Sequence, residues 1–146
     1  MDRSGYSDDL DNWRLICWRG QVAGAIRGRR GQKFLRDPLK ALDVMPEKRL
    51  ITHALINAPP AFVPPEHAAP QVCAIGSVGL QRSVDMEQID PADPEQVAQV
   101  FDIAHQLAQE IAWENDTAGL WNETPEQRWQ RMRDWVVQHI REEVAA

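Results

Sequence analysis

The residues whose types and spacing bear most directly on chemistry are cationic. Arg27, Arg29, Arg30 and Lys33 crowd around the glycines of Gly28-Arg29-Arg30-Gly31, and Arg14 and Arg19 lie upstream. Guanidinium and ammonium groups attract phosphate, and glycine lets a backbone come close to it. The pattern supports contact with a nucleic-acid backbone, although no helix-turn-helix, zinc or RNA-binding signature accompanies it. The alternative is a solvated basic face, or pairing with acids elsewhere in the chain. Gly24, Gly28 and Gly31 do not form a phosphate loop, which needs a strand before it and Gly-Lys-Ser/Thr after it.

Other chemistries have thinner support. His53, His67, His105 and His139 are scattered; His105 is three residues from Asp102, and His139 three from Glu142. A zinc site needs three or four converging protein ligands, so no metal is expected. Glu110 and Glu114 are surface charges unless their environments separate their pKa values. Cys17, between Ile16 and Trp18, is expected to be too buried to react. Cys17 and Cys73 lack CxxC spacing and read as reduced thiols. Ser4, Ser7, Ser77 and Ser83 have no adjacent motif. No catalytic residue and no cofactor is therefore expected, and an enzyme is the third reading. A protein-binding surface has a candidate in Trp113 and Trp121, with Glu114 and Asp116 as a polar rim. Indoles ringed by polar groups resemble an interface hot spot; the alternative is that they cover the edge of the core.

The elements that must position these residues are mainly helical. Ser7, followed by Asp8, Asp9 and Asp11, predicts a helix start, because acids favour the positive end of the dipole. This helix should run to about Ile26. It carries one apolar stripe at Leu10, Trp13 and Cys17 and another at Leu15, Trp18, Val22 and Ile26, which predicts a central place. Gly20 and Gly24, four apart, either permit close helix packing or simply weaken the helix. A second helix is expected from Gln32 to Val44, kinked or split at Pro38 and ended by Pro46. A short helix over Glu47–Leu55 should follow. Asn57–Pro70 reads as a proline-rich loop, a local insertion. Val72–Leu80 fits a buried strand or a small-residue helix, and a helix through Arg82 is preferred. Asp93-Pro94 and Thr124-Pro125 each start a helix; the first should reach Glu114. On the last helix Trp129, Met132, Val136 and Ile140 face inward, with Arg128, Arg131, Arg133 and Arg141 outward.

These elements predict an all-α fold: one compact domain over residues 1–146, with five or six helices. The first helix, the Val97–Glu114 helix and the last helix should form the core. Leu10, Trp13, Cys17, Ile26, Leu35, Leu39, Leu42, Phe101, Leu107, Ile111, Trp129, Met132 and Val136 should lie inside.

Composition agrees with a single soluble domain: 146 residues, 43% apolar and 26% charged. The charge is divided. Residues 12–49 net +7, residues 50–146 net −10 and residues 1–11 net −3. Such a division suits either a nucleic-acid-facing surface or a match of opposite charges within or between copies, so a homo-oligomer is a further reading. No apolar run approaches the roughly 20 residues of a membrane span. The polar, acidic Met1–Leu10 stretch is not expected to be a signal peptide. A cytoplasmic protein is expected.

Longer strings carry a resemblance. SGYSDDLDNWRLICWRGQVAGAIRGRRGQKFLRDPLKALDVMPEKRLI, QVCAIGSVG, FDIAHQLAQEIAWEND and TPEQRWQRMRDWVVQHI resemble a family of small uncharacterised proteins from tailed bacteriophages and prophages of Gram-negative bacteria. The resemblance covers most of the chain and departs at Asn57–Pro70, where the family usually has a short acidic link. It implies phage origin and the host bacterial cytoplasm. It supplies no activity and no catalytic residues to carry over. Small phage proteins outside the virion are often accessory, and modulate host enzymes, counter defence or regulate phage genes. The expected function is that of a phage-encoded accessory protein binding a host or phage protein without catalysis. The alternative is a nucleic-acid-binding protein using Arg27–Lys33.

Overall fold

The computed structural model describes residues 3, 4, 12–57, 62, 64 and 69–141. Among them run six α-helices: α1 (Asn12–Arg27), α2 (Arg29–Val44), α3 (Ala74–Gln81), α4 (Pro94–Phe101), α5 (His105–Asp116) and α6 (Pro125–His139). Two short strands, β1 (Ile56–Asn57) and β2 (Gln71–Val72), pair antiparallel with Ile56 opposite Val72. They close the base of the proline-rich stretch, most of which lies outside the described residues, as do Ser7 and Leu10. The mostly helical class holds.

The α1–α2 junction is tighter than a Gly28–Gly31 turn. Gly28 alone separates the helices, and Gln32 N already donates to Gly28 O at 2.9 Å. A Cβ on Gly31 would stand 1.9 Å from the Ala25 carbonyl oxygen, so only glycine lets the helices cross here. Pro38 does not split α2, which runs unbroken to Val44. Its ring is buried on the same side as Phe34, Leu35, Ala41 and Leu42, and that packing offsets the lost hydrogen bond. Met45, at φ −57° and ψ 129°, takes the extended form that Pro46 requires.

Three other expectations are corrected. Glu47–Leu55 forms no helix. Tertiary partners claim its backbone instead: Leu50 N donates to Pro125 O at 3.1 Å and Ile51 N to Val72 O at 2.9 Å. So short a segment has little helical stability of its own to set against them. The expected helix from Asp93 to Glu114 is two helices. Asp102 adopts the left-handed conformation (φ 56°, ψ 54°), and Ile103 N returns to Ala98 O at 3.0 Å, ending α4 in a Schellman turn. Lastly, α1 is not central. Trp13 is 72% exposed and Cys17 is exposed, against the expectation that both lie inside.

The centre belongs to α3. Ala74 through Gly79 are all buried. Its small residues permit this: a Cβ on Gly76 would meet the Leu55 carbonyl oxygen at 1.9 Å, and one on Gly79 would meet Met86 Sδ at 2.2 Å. Around it pack Leu35, Leu42, Phe101, Leu107, Met132 and Val136, which with Ile26 and Ile111 bear out most of the expected core. Leu39 and Trp129 are half-buried against it. The predicted starts of α4 and α6 hold. Gln96 N donates to Asp93 Oδ1 at 3.2 Å, and Thr124 and Gln127 complete a reciprocal capping box.

Candidate interaction surface and the basic corner

Residues on a helix advance about 100° each. On α1 this places Trp18, Val22, Ala25 and Ile26 on the side that packs against the core. The opposite side carries Trp13, Ile16, Cys17, Gly20, Gly24 and Arg27. The described members of the two apolar stripes, Trp13 and Cys17 on one and Trp18, Val22 and Ile26 on the other, therefore lie on opposite sides, and only the second packs against the core. Ile16 is 63% exposed beside the still more exposed Trp13. A Cβ built at Gly20 or Gly24 would meet no described residue within 4 Å, so packing among the described residues does not require either glycine. Each weakens a helix interior by roughly 0.5–1 kcal/mol relative to alanine. Single exposed apolar residues are ordinary, whereas a contiguous apolar patch marks a surface that meets something else.

At the C-terminal end of this face stands the basic corner. Arg27, Arg29, Arg30 and Lys33 are all exposed around Gly28. Arg30 reaches Asp102 at 3.9 Å, with both side chains largely in solvent, and such a pair contributes little. Gln32 fixes the corner from beneath. Its amide nitrogen donates to Ile26 O (2.8 Å) and His139 O (2.9 Å), and its oxygen accepts from Arg141 N at 2.7 Å. The first turn of α2 contains no acid, and Gly28 provides no side-chain cap. Arg29 and Arg30 thus sit at the positive end of a helix dipole, where cations are disfavoured. The six cations read from the sequence do not form one patch. Arg14 lies about 20 Å along α1 from Arg27, and Arg19 about 12 Å from it. Asp93, Glu95 and Asp102 line a shallow trough with Arg30, so acid borders the corner on one side.

The other expected interface comes apart. Trp121 is 96% exposed in the loop before α6, beside exposed Leu120, but Trp113 is half-buried. Glu114 is half-buried near Arg131 (3.8 Å). Burial raises its carboxyl pKa and Glu110 adds to the rise, against the pull of Arg131. Asp116 is no rim residue, because its side chain is 1% exposed. Arg3 grips it with two nitrogens, Nη2 reaching Oδ1 at 2.8 Å and Nε reaching Oδ2. Burial pushes the Asp116 carboxyl up, but Arg3, the Asn115 amide and the His53 backbone together hold it below the usual range. Arg3 also donates to Ala54 O (3.2 Å) and Cys73 Sγ (3.5 Å). Asn115 accepts from Ala74 N (3.1 Å) and donates to Ile51 O (2.9 Å). This staple joins residue 3, the 51–54 segment, the start of α3 and the end of α5. Cys73 is buried within it and caps α3 by accepting from Gly76 N at 3.3 Å, a structural role.

The arginines of α6, expected outward, mostly turn inward. Arg131 Nε lies 2.6 Å from Glu123 Oε2, and Nη1 donates to Glu114 O at 2.6 Å, satisfying the end of α5. Arg128 donates to Leu50 O at 2.8 Å, and Arg133 pairs with Asp43 at 2.6 Å. Among the described residues, no three His, Cys, Asp or Glu side chains are placed to hold a metal ion. No described helix is long and apolar enough to cross a membrane. No family model, curated protein or solved structure matches the chain.

Proposed function

We propose that this protein is a non-enzymatic interaction module that docks a protein partner on the outer face of α1. The observation that carries the reading is the exposure of Trp13 and Ile16 beside two glycines that no described residue packs against. Tryptophan is enriched among residues that dominate binding energy, and glycines on a helix face admit a closely approaching helix. The sequence resemblance to phage and prophage proteins supports the reading of this module as a phage-encoded accessory protein that acts on a host or phage protein in the host cytoplasm. Affinity purification from host cells, with and without nuclease, tests it. The wild-type chain should retain a protein after nuclease treatment, and Trp13→Ala and Ile16→Glu should release it. Equal recovery with all three chains would overturn the reading.

The basic corner favours a second reading, nucleic-acid binding by Arg27, Arg29, Arg30 and Lys33. Its support is the placement of Arg29 and Arg30 at the positive end of α2, where stability alone would favour acids. Phosphate contact predicts affinity that falls as salt rises. Fluorescence anisotropy with DNA and RNA probes tests this, and no binding at low salt would remove it.

A further inference from the structure

We infer that the occupant of the outer α1 face is a second copy of this chain, its α1 lying antiparallel to the first about a two-fold axis at Gly20. The inference rests on the reading of that face as a docking surface and names its partner. Gly20 stands at the middle of the Asn12–Arg27 helix, so pairing about it overlaps the two helices along their whole length. That register is self-complementary in size. Gly20 meets Gly20, Cys17 meets Ala23, Ile16 meets Gly24, and Trp13 meets Arg27 of the second copy. The bulkier residues of one half thus fall against the smaller residues of the other, as an isologous contact requires. Neither glycine has an atom of a described residue in the way within 4 Å, so a partner backbone can approach closely.

The register is also complementary in charge. Arg27 comes level with the Trp13 indole, a cation–π arrangement. Arg14 comes level with Ile26 and Arg19 with Gln21, so no arginine faces an arginine. The end of α1 and the start of α2 are basic at Arg27, Arg29 and Arg30. Antiparallel pairing keeps these two basic ends apart, whereas parallel pairing would set them together. A helix of this length is roughly 24 Å long, and one face of it offers only part of the ~800 Å² that a standard interface covers on each partner. The dimer is therefore expected to dissociate on dilution.

Sedimentation of the full chain across a concentration series tests the self-association, and engineered cysteines test the register. The wild-type chain should show a monomer–dimer equilibrium. Ile16→Glu, at a position already exposed in the monomer, should raise the dissociation constant at least about thirtyfold. With Cys17→Ser as background, Gly20→Cys should form a covalent dimer under mild oxidation, because the two thiols meet at the axis. Gly24→Cys in the same background should not, because antiparallel pairing sets that residue about 12 Å along the helix from its mate. A chain that stays monomeric at submillimolar concentration overturns the inference, and so does Gly24→Cys cross-linking as readily as Gly20→Cys. If the chain stays monomeric yet Ile16→Glu still releases a captured protein, the face is a docking surface for a different partner. If Ile16→Glu changes neither association nor capture, both readings fall.

Discussion

Helices α1 and α6 are nearly the same length, 16 and 15 residues, and each carries two tryptophans and three arginines. They use them in opposite ways. On α6, Trp135 is buried, Trp129 donates its indole N–H to Leu42 O at 3.1 Å, and all three arginines reach acids or carbonyls of the same chain. The helix opens with a capping box and a proline at its first turn. The folded monomer accounts for each of these features. On α1, Trp18 packs against the core but Trp13 faces solvent, and the glycines opposite the core meet no described residue. The described residues account for one side of α1 and give no internal reason for the glycines and Trp13 on the other. Similar composition thus separates into a helix that stabilises the fold and one whose outer side is spare.

The two tryptophans nearest each extreme give the sharpest test. Trp135, 8% exposed and stacked 4.4 Å from the His139 ring, should cost about 3–5 kcal/mol when truncated to alanine. Trp13→Ala should change stability by no more than about 0.5 kcal/mol. Urea titration followed by circular dichroism measures both, at dilutions where self-association adds nothing through linkage. Comparable losses would mean that α1 is no spare surface. The arginines repeat the comparison at smaller size. Arg131→Ala removes the contacts with Glu123 and with the Glu114 and Asn115 carbonyls and should cost about 1.5–3 kcal/mol. Arg27→Ala should cost only about 0.3–0.5 kcal/mol, its exposed share of the helix dipole effect.

Much of the helical frame was legible in the sequence, because caps and prolines act locally. Thr124-Pro125 and Asp93-Pro94 announce helix starts by chemistry within four residues, and both starts are where they were expected. Burial was harder to read. Periodicity revealed two apolar stripes on α1 but had no means of ranking them, and only the assembled fold shows that α3 takes the centre. The break at Asp102 was hidden because aspartate enters the left-handed region without glycine's signature. The Arg3–Asp116 staple joins residues 113 apart with no motif at either end, so Asp116 read as an interface rim. Cys17 and Trp13 lie on an apolar stripe yet are exposed, because such a stripe predicts contact without saying with what.

A smaller effect should separate the starts of the two helices. Thr124→Ala removes one half of the capping box, the acceptor for Gln127 N at 3.1 Å, and should cost about 1 kcal/mol. The corresponding change on the second basic-rich helix, Gly28→Ser at the N-cap of α2, should stabilise by a few tenths of a kcal/mol, because Gly28 makes no side-chain cap. Thermal unfolding checks both. A loss on Gly28→Ser would point to the close Gly24 carbonyl, 3.3 Å from the position of an added Cβ.

The smallest predicted effect is on the acid limb of stability, where Glu114 and Asp116 act with opposite signs. Asp116 is held below its ordinary value of 3.8, so the unfolded chain takes up its proton first as pH falls. Its contribution is complete above that ordinary value and is lost as pH drops through the depressed one. Glu114 is raised above its ordinary 4.5, so the folded chain binds that proton first, and stability gains as pH falls through the raised value. Stability against unfolding, measured from pH 7 to pH 3, should therefore rise slightly, then fall. Glu114→Gln should remove the rise, and Asp116→Asn should flatten part of the fall from a lower starting stability. Helix α1 contains no acid and no histidine, so Trp13→Ala, which adds no titrating group to its outer face, should leave this profile unchanged. A profile altered by Trp13→Ala as much as by Asp116→Asn would tie the spare face to the staple and end the separation between them.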